Sequence, residues 1–168
     1  FDIEVINIHG GSLRLYIKNI KKIKKTTRCK KILNIEKKYL NIKNLHIIKN
    51  KIKKETLLFK NKLIKYKKDR RNIVGYGAPA RVSTITNFGN IDSNLINYII
   101  DDSPLKQGRF TPGTHIKIVP KKNNINERIN IVIVFAYEYF NDIKKNFKKL
   151  KVKFYKPIPF SKLKWNII

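Results

Sequence analysis

Asn72-Ile73-Val74-Gly75-Tyr76-Gly77-Ala78-Pro79-Ala80 reads as a short apolar strand that runs through two glycines into a helix. That is the context of the Gly-x-Gly-x-x-Gly/Ala phosphate-binding turn. In this pattern Gly75 permits the tight turn, Gly77 lets backbone N–H groups approach a phosphate, and Ala80 keeps the helix close to the strand. Pro79 suits the first helical turn, where its missing N–H costs nothing. The helix start then offers unpaired donors and a partial positive charge to an anion. A bulkier residue at Gly77 is expected to block a phosphate and leave the helix start intact. The competing reading is a tight strand-to-helix turn that holds no ligand.

Outward from this stretch, strands and helices alternate toward the C-terminus. Pro79–Phe88 reads as a helix and Leu95–Ile100 as a strand ending in Asp101-Asp102. Strands follow at Ile116–Val119 and Ile129–Ala136, then a helix over Tyr137–Phe147 and a last strand at Val152–Tyr155. This order predicts an α/β, Rossmann-like fold: a mostly parallel sheet with flanking helices. Toward the N-terminus, Ile48, Ile52, Phe59, Leu63 and Tyr66 are spaced by 4, 7, 4 and 3, so residues 31–68 read as helical with a break at Asn41 to Asn44. Residues 20–30 read as a linker. Residues 2–19 read as a β-hairpin around His9-Gly10-Gly11-Ser12.

With 168 residues, 42% of them apolar, the chain can bury one core. Its net charge of +28 rests on Lys with only seven Arg. Arg forks and base-stacking aromatics are the stronger nucleic-acid signal, so nucleic acid is a disfavoured partner and the lysines read as solvated surface. A basic chain still attracts anionic ligands such as nucleotide diphosphates. No apolar run approaches the ~20 residues of a membrane span. The lone Cys29 forms no internal disulfide, and a cytoplasmic setting is expected. Phe1 already starts a strand and no Met is present, so the sequence is expected to begin inside a larger polypeptide.

Asp101 falls 24 residues past Gly77, near where dinucleotide folds place a ribose-binding acid. Asp102-Ser103-Pro104 allows it equally to be a turn residue. Lys106, Gln107, Gly108 and Arg109 follow, placing two cations beyond a strand end, Arg109 suited to bidentate pairing with a diphosphate. Thr111-Pro112-Gly113-Thr114-His115 comes next. His115 and His46 read as surface or structural residues. Three scattered His, one Cys and few carboxylates give no metal constellation. No Ser-His-Asp arrangement or carboxylate pair stands out, so no catalytic residue is assigned.

His9-Gly10-Gly11-Ser12-Leu13-Arg14, Gly75 to Arg81, Ile100-Asp101, Lys106 to Arg109, Pro112 to His115 and Pro157-Ile158-Pro159 occur in one order. Together they resemble the C-terminal region of S-adenosylmethionine-dependent sugar C-methyltransferases, over essentially the whole chain. The resemblance implies a Rossmann-like domain that binds a nucleotide-linked 4-keto deoxysugar, preceded in the intact enzyme by a zinc module and a methyl-donor domain. It implies that residues 1–26 are the last hairpin of that donor domain plus a linker, and that 27–168 are the nucleotide-sugar domain. In the family a base removes the proton beside the keto group, and the enolate attacks the sulfonium methyl in line. The family's Tyr-x-Glu-His motif, zinc cysteines and donor loop have no counterpart between Phe1 and Ile168. Tyr137-Glu138 stands where the family has Trp-Asn, and the usual Gly before the last strand is replaced within Leu150-Lys151-Val152.

The expected function is therefore to position a nucleotide-linked sugar for C-methylation, this stretch alone being inactive. The substrate-binding residues are expected to be His9, Gly10, Gly11, Ser12, Gly75, Gly77, Ala78, Asp101, Lys106 and Arg109. S-adenosylmethionine and zinc are expected in the intact enzyme and neither in this chain. The alternatives are a stand-alone nucleotide-binding or interaction module and a basic nucleic-acid-binding protein.

Overall fold

Short runs of Ile and Val pack into a sheet only when both of its faces are covered, because such runs present apolar groups on each side. The computed structural model describes residues 1–6, 8, 12–19 and 21–157. They form two compact units, one holding the described residues up to Lys51 and the other those from Ile52 on.

In the first unit, β1 (Asp2–Ile6) pairs antiparallel with β2 (Ser12–Tyr16), Asp2 opposite Tyr16 and Ile6 opposite Ser12. The expected hairpin is present; its His9-Gly10-Gly11 turn lies outside the described residues. The register divides the faces. Glu4, Arg14 and Tyr16 share one, where Arg14 lies 3.2 Å from Glu4 and the Tyr16 hydroxyl donates to it at 2.7 Å. Val5, Leu13 and Leu15 share the other and are exposed. Helix α1 (Thr27–Tyr39) opens inside the expected linker because Thr26 caps it, accepting from Cys29 N–H at 3.1 Å. Asp2 ties the hairpin to this cap, accepting from Thr26 Oγ1 and Arg28 Nη2 at 2.5 Å each. The Arg28 guanidinium and the Thr26 hydroxyl hold the Asp2 carboxyl well below the usual carboxylate range. Asn41 caps α2 (Ile42–Lys68) through Asn44 N–H at 2.9 Å, so the break between the two helices is shorter than Asn41 to Asn44.

In the second unit, β3 (Ile73–Tyr76), β4 (Ile99–Ile100), β5 (Ile118–Val119), β6 (Ile131–Val134) and β7 (Lys153–Tyr155) form one sheet. Its order is β5-β4-β3-β6-β7 and every pairing is parallel. The α/β fold is as the alternation predicts. Val74, Tyr76, Ile100, Val132 and Val134 pack with Ile143 of α4 (Phe140–Lys145) and with Phe147. The alternate residues Ile73, Ile99, Ile131 and Ile133 are buried on the opposite side. Helix α3 (Arg81–Gly89) leaves β3 and ends at Asn90 in the left-handed conformation, where Ile91 N–H returns to Thr86 O at 2.8 Å. The helix expected over Tyr137–Phe147 is a 3-10 turn at Tyr137–Tyr139 followed by the short α4.

Candidate functional site at the carboxyl edge of the sheet

The chain lays down β3, β4 and β5 toward one side, then returns to place β6 against β3 on the other. In open α/β sheets this reversal opens a crevice beyond the strand ends, where ligands bind. Here the reversal falls between the residues after Tyr76 and those after Val134.

Gly75 sits inside β3 rather than in the turn; a Cβ there would come within 2.7 Å of Ile99 Cγ1. Its smallness keeps β3 and β4 in register. Gly77 has φ +80°, and a Cβ on it would lie 2.5 Å from Ala136 Cβ. The glycine therefore serves contact between the two loops at the reversal point, and the expectation that a bulkier residue here would leave the helix start intact is corrected: it would overlap backbone and Cβ atoms of Ala136. Ala80 is exposed and does not pack the helix onto the strand.

Asp101 is 6% exposed and gathers the loops. Its Oδ2 accepts from Ala78 N–H at 2.5 Å, its Oδ1 from Ser103 N–H at 2.9 Å, and Lys106 Nζ lies 3.6 Å from Oδ2. Gly77 N–H is bonded to Ile100 O at 2.7 Å. Two of the loop's N–H groups thus have protein acceptors, while those of Ala80 and Arg81 stand at the start of α3, where a helix has no partners of its own for its first donors. Of the two readings of Asp101, the bonding pattern matches the turn residue. Beside it, Tyr76 donates to Asp102 at 3.0 Å and accepts from Asn146 at 3.1 Å. Burial, with the Asp102 carboxylate against it, pushes the Tyr76 phenol far above its ordinary range.

Lys106 joins Gly77 and Ala78 around Asp101, but Arg109 departs from them. Ile118 N–H donates to Arg109 O at 2.8 Å, and Phe110 bridges antiparallel to Lys117, so the segment runs back along β5. Thr111 to His115 therefore reaches the opposite end of α3, where Asn87 Nδ2 donates to Pro112 O at 2.9 Å. There the Thr86, Thr114 and Thr111 hydroxyls form a chain with links of 3.0 and 2.9 Å. Asn87, Asn90, Asp92, Gly113, Thr114 and His115 line a shallow cleft of about 390 Å³ at that end. Ser12 belongs to β2, its Oγ donating to Ile8 O at 3.0 Å. His9, Gly10 and Gly11 lie outside the described residues.

Sequence reasoning missed one cluster at the crevice. Arg81 Nη1 lies 2.7 Å from Glu138 Oε1, and its guanidinium sits 4.2 Å from the Tyr137 ring centroid. Burial works against the Arg81 charge, and Glu138 and Tyr137 outweigh it. The available signal was the Tyr137-Glu138 pair itself, which stands where the resemblance expects Trp-Asn.

Among the described residues no three His, Cys, Asp or Glu side chains gather to hold a metal, and no helix is long and apolar enough to cross a membrane. No curated protein matches the chain. The family model for the C-methyltransferase C-terminal domain matches residues 7–159, which include the sheet, its reversal point and the Asp101 cluster. The match spans most of the chain, and the chain belongs to the C-methyltransferase C-terminal domain family.

Proposed function

We propose that the second unit holds the diphosphate of a nucleotide-linked 4-keto deoxysugar at the β3–β6 crevice and so positions the sugar for methylation at carbon. The observation that carries this reading is the convergence of the start of α3, Arg81 and Lys106 on the reversal point of a parallel sheet, in a member of this family. A diphosphate would take the N–H groups of Ala80 and Arg81 and the Lys106 ammonium, which Asp101 holds close to the loop. The work of these residues is binding and orientation. S-adenosylmethionine would supply the methyl group, and no residue of this chain is assigned to it. The described side chains do not fit a zinc site, so no step runs through zinc. The hairpin belongs in this reading to the donor domain: Val5, Leu13 and Leu15 form an apolar face that suits a sheet partner. The setting is cytoplasmic.

Calorimetry with thymidine and uridine diphosphates on the 168-residue chain tests the reading, with circular dichroism to check folding. Lys106→Gln is expected to weaken binding by about 1.5 kcal/mol or more. Arg109→Gln is expected to weaken it less, because Arg109 lies on the segment that runs back along β5. Absence of binding by the wild-type chain at millimolar ligand, or equal binding by all three proteins, sinks the proposal.

A further inference from the structure

The amino edge of the same sheet holds a small cleft of its own. This cleft of about 100 Å³ is lined by Tyr66, Arg71, Asn130, Ile131, Lys151 and Lys153. Arg71 precedes β3, Asn130 precedes β6, and Lys151 and Lys153 lie at the start of β7, so three strand starts and the end of α2 meet there. Among the described residues none of the three cations forms an ion pair or a side-chain hydrogen bond. Asp69 is felt by Tyr66 but pairs with none of them.

Neutral donors complete the lining. Asn130 Oδ1 accepts from Asn72 N–H at 2.8 Å, which leaves its amide Nδ2 to donate. The Tyr66 and Tyr155 hydroxyls lie 2.5 Å apart; one donates to the other, and the second hydroxyl hydrogen remains for another acceptor. Lysines along an exposed helix face are spread apart and solvated, whereas these cations border one cavity. Gathering like charges in this way is unfavourable, and a bound anion relieves it.

We propose that this cleft binds a phosphate-class oxyanion, either free phosphate or the terminal group of a small phosphomonoester. Arg71 supplies a planar fork, the two lysines supply point charges, and Asn130 and the tyrosine pair supply neutral bonds. The cleft has room for a tetrahedral oxyanion. The site is separate from the β3–β6 crevice, and neither proposal needs the other.

The test is thermal unfolding of the full chain titrated with phosphate, ionic strength being held constant with sodium chloride. A second titration uses glycerol phosphate. Phosphate is expected to raise the melting temperature of the wild type and of Lys54→Gln, a control on the exposed face of α2. Arg71→Gln and Lys153→Gln, both exposed positions where folding is retained, are expected to weaken the apparent affinity about tenfold or more. Response to phosphate alone assigns a free ion, and response to both assigns a monoester terminus. Equal stabilisation of all four proteins means general screening of a +28 chain and overturns the proposal, as does no stabilisation of the wild type.

Discussion

At the carboxyl edge of the sheet, Lys106 lies 3.6 Å from Asp101 and Arg81 lies 2.7 Å from Glu138, while Tyr76 donates to Asp102. At the amino edge, Arg71, Lys151 and Lys153 border a cleft with no acid paired to any of them among the described residues. The chain has 11 acidic residues against 39 basic ones, and it places Asp101, Asp102, Glu138 and Asp142 after the strand ends of the first edge. The difference bears directly on ligand binding. An anion at the carboxyl edge competes with carboxylates for the same donors, so its affinity is the difference between two sets of bonds. An anion at the amino edge displaces only water.

Gly77→Val gives the largest expected effect on this comparison. The new side chain would overlap Ala136 at a backbone angle that L residues rarely adopt. Stability should fall by about 3 kcal/mol or more in urea denaturation. Unchanged stability with lost diphosphate binding would show instead that the loop is shaped for ligand, as in a free phosphate-binding turn. Asp101→Asn should cost less, about 2 kcal/mol, by replacing a charge-assisted acceptor of Ala78 N–H with a neutral one. If the variant melts like the wild type, Asp101 does not hold the carboxyl edge together, and its carboxylate regains the ribose role.

The parts of this fold legible in sequence are those governed by local periodicity. The four-residue apolar run of β6 is buried along its whole length, and Phe59 and Leu63 of the stepped helix are buried as the spacing requires. The glycines were legible as a strand-to-helix passage, but not in their purpose. Nothing local tells that Gly77 faces Ala136, 59 residues away, instead of a phosphate. Lys106 and Arg109 look like one cationic loop because they are neighbours in sequence. Pairing of Phe110 with Lys117 turns the chain between them, and that pairing is a tertiary property. The Arg81–Glu138 pair and the amino-edge cleft join residues from separate elements and leave no periodic trace.

The smallest expected effect tests the amino edge through a single phenol. Burial first, then the Tyr155 hydroxyl, pushes Tyr66 up to about 12. An unfolded tyrosine titrates near 10. Between those values the native state keeps a proton that the unfolded state has lost, so the native state binds more protons and stability falls as pH rises. The contribution is fully present below about 10 and disappears as pH passes through the native value. Replacing the partner, Tyr155→Phe, removes the second cause and should bring the Tyr66 titration back toward its ordinary value. Ring-carbon NMR shifts resolve Tyr66 from the other seven tyrosines. Phosphate bound in the cleft places negative charge beside the phenol and should push its titration higher still, since phenolate and anion repel. A Tyr66 titration that moves with Tyr155→Phe but ignores phosphate would keep the tyrosine pair and remove the anion from the cleft. The contrast between the two edges would then be one of unpaired surface charge alone.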